Sequence, residues 1–415
     1  MAATQNVTVI GAGIIGMACA SYLQRDGHAV TVVSSRGPGE DCSYGNSGLF
    51  SPASVLPPAF PGAWRNIPRW LLDPLGPLVV RWRYAPRLLP WLLGWLRSCG
   101  EQQAREVSRA LAALHAPVFA NYAPLLADAG AAALITRTGQ LYVSERDDGA
   151  AGTPFQQALR KEAGVRAEHL SGNAARELEP ALSKQCRSAL FLPDNGHSLN
   201  SFKLVQSLAA HFQRSGGTLL KRTVTGFETG ADGPQRLLTD AGTMPVETLV
   251  IAAGAWSHRL TELLGTRLPL EAERGYHLML PRPGITLRLP LVNRDHNFTM
   301  TTMDNGLRLA GTAEFAGVDA PPDYRRARML LGHGQRTLPA LQGNGATEWM
   351  GCRPSLPDGL PVIDRSPRFP RVYFACGHAH FGLTEAPTTG KLIAEMISGK
   401  PPSIDISPYR VTRFS

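Results

Sequence analysis

Apolar strands that alternate with amphipathic helices form the main pattern along this chain. Residues 6–10 and 28–33 are β-rich apolar runs, and residues 17–25 between them have the spacing of a helix. The same alternation returns later, with predicted strands over 217–224, 249–253 and 371–376 and predicted helices over 201–214 and 387–398. Strands and helices in this order predict an α/β fold with a parallel, doubly wound sheet.

The middle of the chain follows a different pattern. Residues 220–250 alternate like a short antiparallel meander, and residues 268–315 contain several β-like runs, including 276–280 and 307–310. We therefore expect a mixed antiparallel lobe inserted into the doubly wound one. The expected boundaries are 1–55, 150–265 and 331–415 for the doubly wound lobe, and 56–149 and 266–330 for the inserted lobe.

Composition indicates a folded protein with a basic surface. Of the 415 residues, 43% are hydrophobic and 18% are charged, which supplies a sizeable core and excludes a disordered chain. The net charge of +9 arises from 36 Arg and only six Lys, and it suits an anionic membrane, a nucleic acid or an acidic substrate. No basic run interleaved with aromatics matches a nucleic-acid module, so we expect no nucleic-acid partner.

The cysteines and the start of the chain favour a cytoplasmic protein. Six scattered cysteines include no CxxC pair, and no histidine has zinc-site spacing, so reduced thiols and no metal site are expected. The first apolar run leads directly into a glycine-rich loop. Because cleavage there would destroy the first strand, we expect no signal peptide.

The loop after the first strand has the pattern of a dinucleotide site. Gly11, Gly13 and Gly16 follow a predicted strand and begin a predicted helix. In that context the first glycine allows a tight turn, the second lets backbone approach a pyrophosphate, and the third allows close packing of helix on strand. The helix N-terminus supplies N–H donors to the phosphates.

The end of the second strand leaves the identity of the dinucleotide open. An acidic residue is expected there to accept the ribose hydroxyls, but the chain has Ser34, Ser35 and Arg36. Serine followed by arginine suits a 2′-phosphate, as in NADP. Alternatively, Ser34 bonds the ribose of FAD and Arg36 lies over the adenine or a phosphate.

Five further motifs decide between these alternatives. In chain order they are SYGNSG (43–48), TLVIAAGAW (248–256), RGY (274–276), GCRPSLPDGLP (351–361) and GHAHFGLT (377–384). Together they resemble the D-amino acid oxidase family of FAD-dependent oxidoreductases, most of all its bacterial D-amino acid dehydrogenases, including the proline and hydroxyproline type. The likeness covers nearly the whole chain.

The resemblance implies non-covalent FAD in the doubly wound lobe and a substrate site in the inserted lobe. Cys352 lies one residue closer to Pro357-Asp358 than the flavin-linked cysteine of sarcosine oxidases, so we interpret it as a small buried residue. The residues expected to contact FAD are Gly11, Gly13, Ile14, Ile15, Gly16, Ser34, Ser35, Arg36, Ser43, Asn46, Ser47, Gly48, Val224, Ala253, Gly254, Trp256, Gly351, Gly377, His378, Gly382, Leu383 and Thr384.

The resemblance also implies how an amino acid is bound and oxidised. Arg353 occupies the family's carboxylate-binding position, and a guanidinium pairs with a carboxylate through two parallel hydrogen bonds; a surface salt bridge is the alternative. Tyr276 is expected to add a hydroxyl or close the pocket, although a buried core tyrosine fits nearly as well, and His380 is expected at the substrate. Hydride transfer from Cα to flavin N5 then requires no base at Cα.

Residues 64–97 form an aromatic, basic stretch. It holds five of the seven tryptophans (Trp64, Trp70, Trp82, Trp91 and Trp95), six arginines and one acid, Asp73. Its apolar runs are too short to span a bilayer. Tryptophan with arginine suits a peripheral contact with an anionic membrane, here the inner face of the cytoplasmic membrane, but inward packing or a partner subunit explains it equally well.

Membrane contact would suit a dehydrogenase that passes electrons to a quinone or another respiratory acceptor. The alternatives are a glycine or sarcosine type oxidase that uses oxygen and, from a different class, a flavin-binding subunit without catalysis. An oligomer is compatible with all three.

Overall fold

The computed structural model describes residues 4–67, 73 and 75–414. The described helices are α1 (Ile14–Arg25), α2 (Ala85–Arg97), α3 (Glu101–His115), α4 (Val118–Ala129), α5 (Pro154–Glu162), α6 (Gly172–Leu178), α7 (Ser201–Arg214), α8 (Ser257–Leu263), α9 (Arg325–Thr337) and α10 (Gly382–Ile397).

The described strands of the first half are β1 (Asn6–Ile10), β2 (Ala29–Ser34), β3 (Leu49–Phe50), β4 (Leu78–Val80), β5 (Ile135–Thr136), β6 (Gln140–Ser144), β7 (Glu168–Ser171), β8 (Ser188–Leu192) and β9 (Gly196–Ser198). Those of the second half are β10 (Thr218–Lys221), β11 (Val224–Gly230), β12 (Gly233–Thr239), β13 (Gly242–Pro245), β14 (Thr248–Ile251), β15 (Glu271–Leu280), β16 (Leu291–Asn293), β17 (Phe298–Met303), β18 (Gly306–Phe315), β19 (Thr347–Ser355), β20 (Val362–Arg365) and β21 (Val372–Cys376).

A six-stranded sheet forms the centre of the first lobe. Its order is β10-β2-β1-β14-β21-β20, and every pair is parallel except the last. Successive residues of β1 point to opposite faces, so Val9 packs among α1, α7 and α10 while Ile10 packs against α8 and the meander β11-β12-β13. The predicted doubly wound sheet and the predicted meander are both confirmed.

The second lobe is built on a larger, mostly antiparallel sheet. Its order is β19-β15-β18-β17-β16-β6-β8-β7, and β4 pairs with the end of β18. One face is buried under α9, where Leu330 packs on Leu278 and Leu309. The opposite face carries Arg353 and His277 and contacts the first lobe.

The structure moves the boundaries between the lobes from those expected at 1–55, 150–265 and 331–415. Helices α3 and α4, within the expected inserted stretch 56–149, pack into the core of the six-stranded sheet. Conversely, β7, β8 and β19, expected in the doubly wound lobe, belong to the large sheet. Strand pairing decides these memberships, and pairing partners lie far apart in sequence.

The bounds of most predicted elements agree with the structure, and α7 matches over its whole length. The last helix differs, because α10 begins at Gly382 rather than at Pro387. Proline at its sixth position removes one N–H, so Leu383 loses its helical donor. The hydroxyl of Tyr122 donates to that carbonyl instead, at 2.8 Å.

The aromatic stretch 64–97 divides into buried and exposed tryptophans. Trp91 and Trp95 pack with Leu88 and Phe315, as inward packing predicts. Trp64 is 52% exposed and Trp82 78% exposed, as a contact surface predicts. Trp70 lies outside the described residues.

One described stretch, 101–129, is long and apolar enough to cross a membrane. It consists of α3 and α4, whose Leu111 and Tyr122 are fully buried against α1 and α10. A core helix pair of a globular protein has the same length and composition, and that is how we interpret it.

Candidate functional site

Glycine-rich turns meet along one edge of the six-stranded sheet. Because β1, β2, β14 and β21 are parallel, their carboxyl ends lie at the same edge, where ligands of doubly wound sheets bind. The turns that leave them carry the expected cofactor residues 11–16, 34–36, 253–256 and 377–384. The fold thus brings together segments that are more than 360 residues apart in sequence.

The turn between β1 and α1 requires glycine at two positions and leaves space at a third. Gly11 has φ +112°, and a Cβ there would overlap the Ala252 carbonyl. A Cβ on Gly16 would overlap the Gly11 carbonyl, so helix and strand are in close contact. At Gly13 a Cβ would meet only the Ser43 hydroxyl, at 3.6 Å, which leaves room for a ligand beside the backbone.

The N-terminus of α1 retains donors for an anion. The first N–H groups of a helix have no partner within it. The Ile14 N–H donates to Ser43 Oγ at 3.0 Å, and the helical bonds begin with Met17 N donating to the Gly13 carbonyl. The N–H groups of Ile15 and Gly16 are therefore the ones available to a phosphate.

The end of β2 holds an ion pair in place of the expected acidic side chain. Ser34 is half-buried and Ser35 exposed. Arg36 lies 3.3 Å from the carboxylate of Asp41 and 6.0 Å from the centre of the Trp256 ring.

Two further expected cofactor residues lie in later segments. Val224 begins β11 just beyond β10. Gly254 has φ +55°, and a Cβ there would meet no atom within 4 Å.

Side chains of the second lobe fix the loop 43–48. Arg308 on β18 donates to the carbonyls of Tyr44 and Asn46 at 3.0 and 2.5 Å, and His277 Nδ1 donates to the Gly45 carbonyl at 3.1 Å. Burial lowers the pKa of Arg308 to about 10 and, with the Arg308 charge, that of His277 to about 3.

An indole covers the glycines of this loop and of β19. Trp349 stacks on His277 with ring centres 5.0 Å apart. A Cβ on either Gly45 or Gly351 would overlap this ring. Ser47 and Gly48 follow, and Gly48 has φ +78°. Sequence reasoning missed Trp349, His277 and Arg308, because no local motif relates them to the loop.

The turn before α10 presents a second helix N-terminus. Gly377 and Ala379 have φ +85° and +41°. The N–H groups of Gly382, Leu383 and Thr384 precede the first helical bond, in which Glu385 N donates to the Phe381 carbonyl. A Cβ on Gly382 would meet nothing closer than 3.8 Å, so this end of the helix is open.

His378 and Thr384 point into the protein from this turn. His378 Nε2 lies 3.0 Å from Thr389 Oγ1, and burial lowers the pKa of His378 to about 3. Thr384 Oγ1 accepts the Ser51 N–H at 3.1 Å. Their side chains therefore hold the turn in shape, and only their backbone remains for a cofactor contact.

Arg353 is attached to this turn through its own strand. Ser355 pairs with His378, and Ala379 N donates to the Pro354 carbonyl at 2.8 Å. Arg353 Nη1 contacts Glu273 Oε1 at 2.6 Å and the Thr312 carbonyl at 3.1 Å. Glu273 stands directly opposite Arg353 on β15.

His380 joins Arg353 and Glu273. Its ring is densely surrounded by protein atoms, although the residue is exposed to solvent. Burial, opposed by the charge of Glu273 and reinforced by that of Arg353, lowers the pKa of His380 to about 4. The imidazole is therefore neutral at pH 7.

Tyr276 does not reach this cluster. Because side chains alternate along β15, Tyr276 lies on the opposite face of the sheet from Glu273 and Arg353. Its hydroxyl donates to Glu314 Oε2 at 2.5 Å, and its ring is buried beside Leu278. The structure thus places Tyr276 in the core of the second lobe, away from Arg353, where the alternative interpretation as a core tyrosine puts it.

Cys352 also lies on the face opposite Arg353. It is packed with Ala255 and Ala272, and burial raises its pKa to about 11. All six cysteines are free. Within the described part of the chain, no three His, Cys, Asp or Glu side chains are grouped to hold a metal ion.

Comparison with known proteins identifies the family. The profile of the DAO family, described as FAD dependent oxidoreductase, matches residues 6–396. This chain belongs to that family of FAD-dependent oxidoreductases.

Relatives of this FAD-dependent oxidoreductase carry two kinds of name. A D-amino-acid oxidase from Bradyrhizobium diazoefficiens is 36% identical over 99% of both chains. A D-amino acid dehydrogenase from Paramagnetospirillum magneticum is 32% identical, also over 99% of both chains. The protein is therefore an oxidoreductase that acts on amines, as the sequence motifs implied.

Solved structures support the fold of this oxidoreductase. The L-proline dehydrogenase of P. horikoshii aligns with a TM-score of 0.74 at 19% identity, over 100% of this chain and 98% of that one. The glycine oxidase of Geobacillus kaustophilus aligns with a TM-score of 0.72 at 20% identity, over 99% of both chains. The prediction of a Rossmann-like lobe with an inserted substrate lobe is confirmed.

The edge of the sheet fits the FAD that the family requires. A Cβ would face open space at Gly254 and would make only ordinary van der Waals contacts at Gly13 and Gly382. Two helix N-termini point their free N–H groups toward that space, which suits a dinucleotide whose pyrophosphate lies at one of them and whose flavin ring, which gains negative charge on reduction, lies at the other.

Proposed function

We propose that this chain catalyses the oxidative deamination of D-amino acids, with D-proline and hydroxy-D-proline as candidate substrates. In the proposed reaction, bound FAD would supply the redox chemistry, and a quinone or another respiratory acceptor would receive the electrons. The main support is the position of Arg353, whose strand is hydrogen-bonded to the turn at the N-terminus of α10. A carboxylate held there lies beside the open cofactor edge.

Arg353 is suited to bind the substrate carboxylate. Only Nη1 of its guanidinium is engaged by Glu273 and the Thr312 carbonyl among the described residues. Nε and Nη2 remain on one edge of the planar group, and two parallel N–H donors match the two oxygens of a carboxylate.

Glu273 is suited to bind the substrate amine. An α-amino acid carries its ammonium next to its carboxylate, and here an acid lies 2.6 Å from the carboxylate-binding arginine. The pair thus presents opposite charges side by side, and Glu273 is the group nearest to take up the proton that the amine must lose before oxidation.

The N-terminus of α10, His380 and Trp349 are suited to stabilise charge and to exclude water at the reacting atoms. FAD, when bound, accepts a hydride from Cα of the substrate. The N–H groups at the N-terminus of α10 favour the negative charge that this transfer brings. Neutral His380 and the Trp349 ring limit water around the reacting carbon without adding charge.

The decisive experiment is an anaerobic titration of the yellow protein with D- and L-amino acids, followed by bleaching of the flavin absorbance. We expect bleaching by D-amino acids. Arg353→Ala should stay yellow and lose at least 100-fold in kcat/KM, about 2.7 kcal/mol. Arg365→Ala, at an exposed arginine of β20, should behave as wild type. Equal kinetics of the Arg353 variant and wild type would remove the proposed role.

A second candidate, an amine oxidase of the glycine or sarcosine type, is favoured by the name oxidase of one relative. It differs in using oxygen as acceptor. Stoichiometric hydrogen peroxide in air, together with oxidation of glycine or sarcosine, would support it over the dehydrogenase.

Peripheral membrane contact belongs to the proposed function. The described residues with large exposed apolar side chains include five within 64–97, namely Trp64, Trp82, Leu89, Leu93 and Leu96. Arg65 and Arg83 lie over the exposed tryptophan rings at 5.6 and 5.1 Å. Rings at headgroup depth with guanidinium groups beside them suit the inner face of the cytoplasmic membrane.

A further inference from the structure

A cavity of about 340 Å³ lies outside the candidate site. It is bounded by α2, the first residues of β15 and the segment after β18. Its lining residues used below are Tyr84, Arg87, Trp91, His258, Glu271 and Val318. None of the residues expected to bind FAD or substrate lines it.

The cavity walls are bonded to the turns at the cofactor edge. Trp91 Nε1 donates to the Ser355 carbonyl at 3.1 Å, and Glu271 is paired with Ser355 across the strands. Ser355 is in turn paired with His378 of the flavin-side turn. Two strand spacings of about 4.8 Å separate the backbone of Glu271 from that turn.

The opposite wall leads to the same edge. His258 Nδ1 donates to the carbonyl of Ala255, which directly follows Gly254. Two residues that line the cavity, His258 and Trp91, are therefore hydrogen-bonded to the 254–256 turn and to the strand that carries Arg353. A ligand in the cavity would be separated from the cofactor edge by these segments and would not block the substrate.

The lining suits a flat ring with polar oxygens. Trp91, Val318 and the neighbouring leucine and proline side chains supply apolar walls. The Tyr84 hydroxyl donates to Glu271 Oε2 at 2.6 Å, which places a proton between the two oxygens at the cavity wall. Burial raises the pKa of Glu271. Arg87 supplies a donor at the rim.

Helix α2 contributes both to the cavity wall and to the exposed apolar surface. Arg87 and Pro90 line the cavity from α2, and the same helix exposes Leu89 and Leu93. A membrane contact of this face would thus place the cavity one helix away from lipid-soluble ligands.

We propose that this cavity binds a quinone, which collects the electrons of the reduced cofactor. The proposal rests on the proposed dehydrogenase function. Reduced FAD loses two electrons and two protons and becomes oxidised FAD, and the quinone gains two electrons and two protons and becomes the quinol. The Tyr84–Glu271 pair delivers a proton to one quinone oxygen and is recharged from the flavin side or solvent.

The test separates the two half-reactions in the FAD-loaded enzyme. The flavin is reduced with dithionite, and its reoxidation by a short-tailed ubiquinone is followed by stopped flow. Val318→Phe narrows the cavity, and we expect at least tenfold slower reoxidation by quinone. Reoxidation by ferricyanide, which needs no cavity, should be unchanged. Leu263→Phe, at an exposed residue outside the lining, is the matched control.

Glu271→Gln is the second variant and decides the question if Val318→Phe does not bind FAD. Glutamine keeps the shape of the side chain but lacks the carboxyl group that would transfer the proton. Reoxidation by quinone should therefore slow, while reoxidation by ferricyanide is retained. Reoxidation by quinone at the wild-type rate in a yellow variant would overturn the proposal. A wild-type flavin that oxygen reoxidises and quinone does not would overturn it as well. Failure of D-amino acids to bleach the flavin would instead overturn the proposed function, since dithionite reduction does not depend on it.

Discussion

The backbone beneath Arg353 is strained at Thr312. Thr312 has φ +58°, a conformation that β-branched residues rarely adopt and that costs on the order of 1–3 kcal/mol. This conformation directs its carbonyl to Arg353 Nη1, and its hydroxyl is buried without a partner among the described residues. The strain lies at the bulge between β15 and β18 and orients the guanidinium for its ligand.

Glu273→Gln should weaken the preference of the proposed site for amino acids over carboxylates that lack an amine. In wild type the Glu273 charge repels an anion bound at Arg353, unless that anion also carries an ammonium group. With glutamine, a monocarboxylate without an amine should bind about tenfold tighter, about 1.4 kcal/mol, while kcat/KM for D-amino acids falls. Perturbation of the flavin spectrum measures the affinity for the carboxylate.

Glu228→Gln, at an exposed acid of the meander, controls for the change in net charge. If both variants bind carboxylates as wild type does, Glu273 does not contact the ligand.

At the scale of elements, α10 depends on a helix from elsewhere in the chain. Pro387 removes the donor to the Leu383 carbonyl, and Tyr122 of α4 supplies a hydroxyl in its place. The exchange keeps the first turn of α10 helical, with its N–H groups at the cofactor edge. It also couples the cofactor edge to α4.

Tyr122→Phe should destabilise the protein by about 1–3 kcal/mol, because it leaves the buried Leu383 carbonyl without a donor. In Tyr122→Phe with Pro387→Ala, a backbone N–H returns, and the loss caused by the phenylalanine should be smaller than in the proline background. Urea unfolding of the four proteins measures this coupling. Additive losses would show that the hydroxyl and the proline act independently.

For the whole molecule, buried histidines should weaken the fold in acid. Burial lowers the pKa of His277 and His378 to about 3, so both stay neutral in the folded protein down to that pH. The unfolded chain binds protons on them below about pH 6.5. Stability should therefore fall as the pH drops from 6.5 to 3, by about 1.4 kcal/mol per pH unit for each histidine.

Urea unfolding of His378→Gln at pH 7.5, 6.5, 5.5 and 4.5 tests this dependence. The variant should lose less stability on acidification than wild type, by the contribution of one histidine. Parallel curves for the two proteins would assign the acid sensitivity to other groups.

The exposed apolar residues within 64–97 predict that the whole protein binds to lipid vesicles. The folded enzyme should sediment with vesicles that contain anionic lipid and much less with neutral vesicles. Trp82→Ser should reduce sedimentation severalfold, whereas Leu178→Ser, at an exposed leucine of α6, should not. Equal sedimentation of the Trp82 variant and wild type would leave inward packing or a protein partner as the explanation of this stretch.

Elements whose conformation depends on neighbouring residues could be predicted from the sequence. The strand β1, the helix α7 and the glycine turn 11–16 rest on residues adjacent in sequence, so periodicity and glycine spacing are sufficient. The start of α10 lies earlier than the sequence predicts, since its stability inside the protein depends on Tyr122, more than 260 residues earlier.

The sequence by itself determined the doubly wound core, the dinucleotide turn and, through its ordered motifs, the family. These features depend on short stretches whose conformation follows from their own residues. Only the tertiary structure decided which strands share a sheet, that Tyr276 faces the core, and that Glu273, Thr312 and His380 gather around Arg353. Each of these depends on strand register, since a shift by one residue turns every side chain to the other face, and register is set by contacts between distant segments.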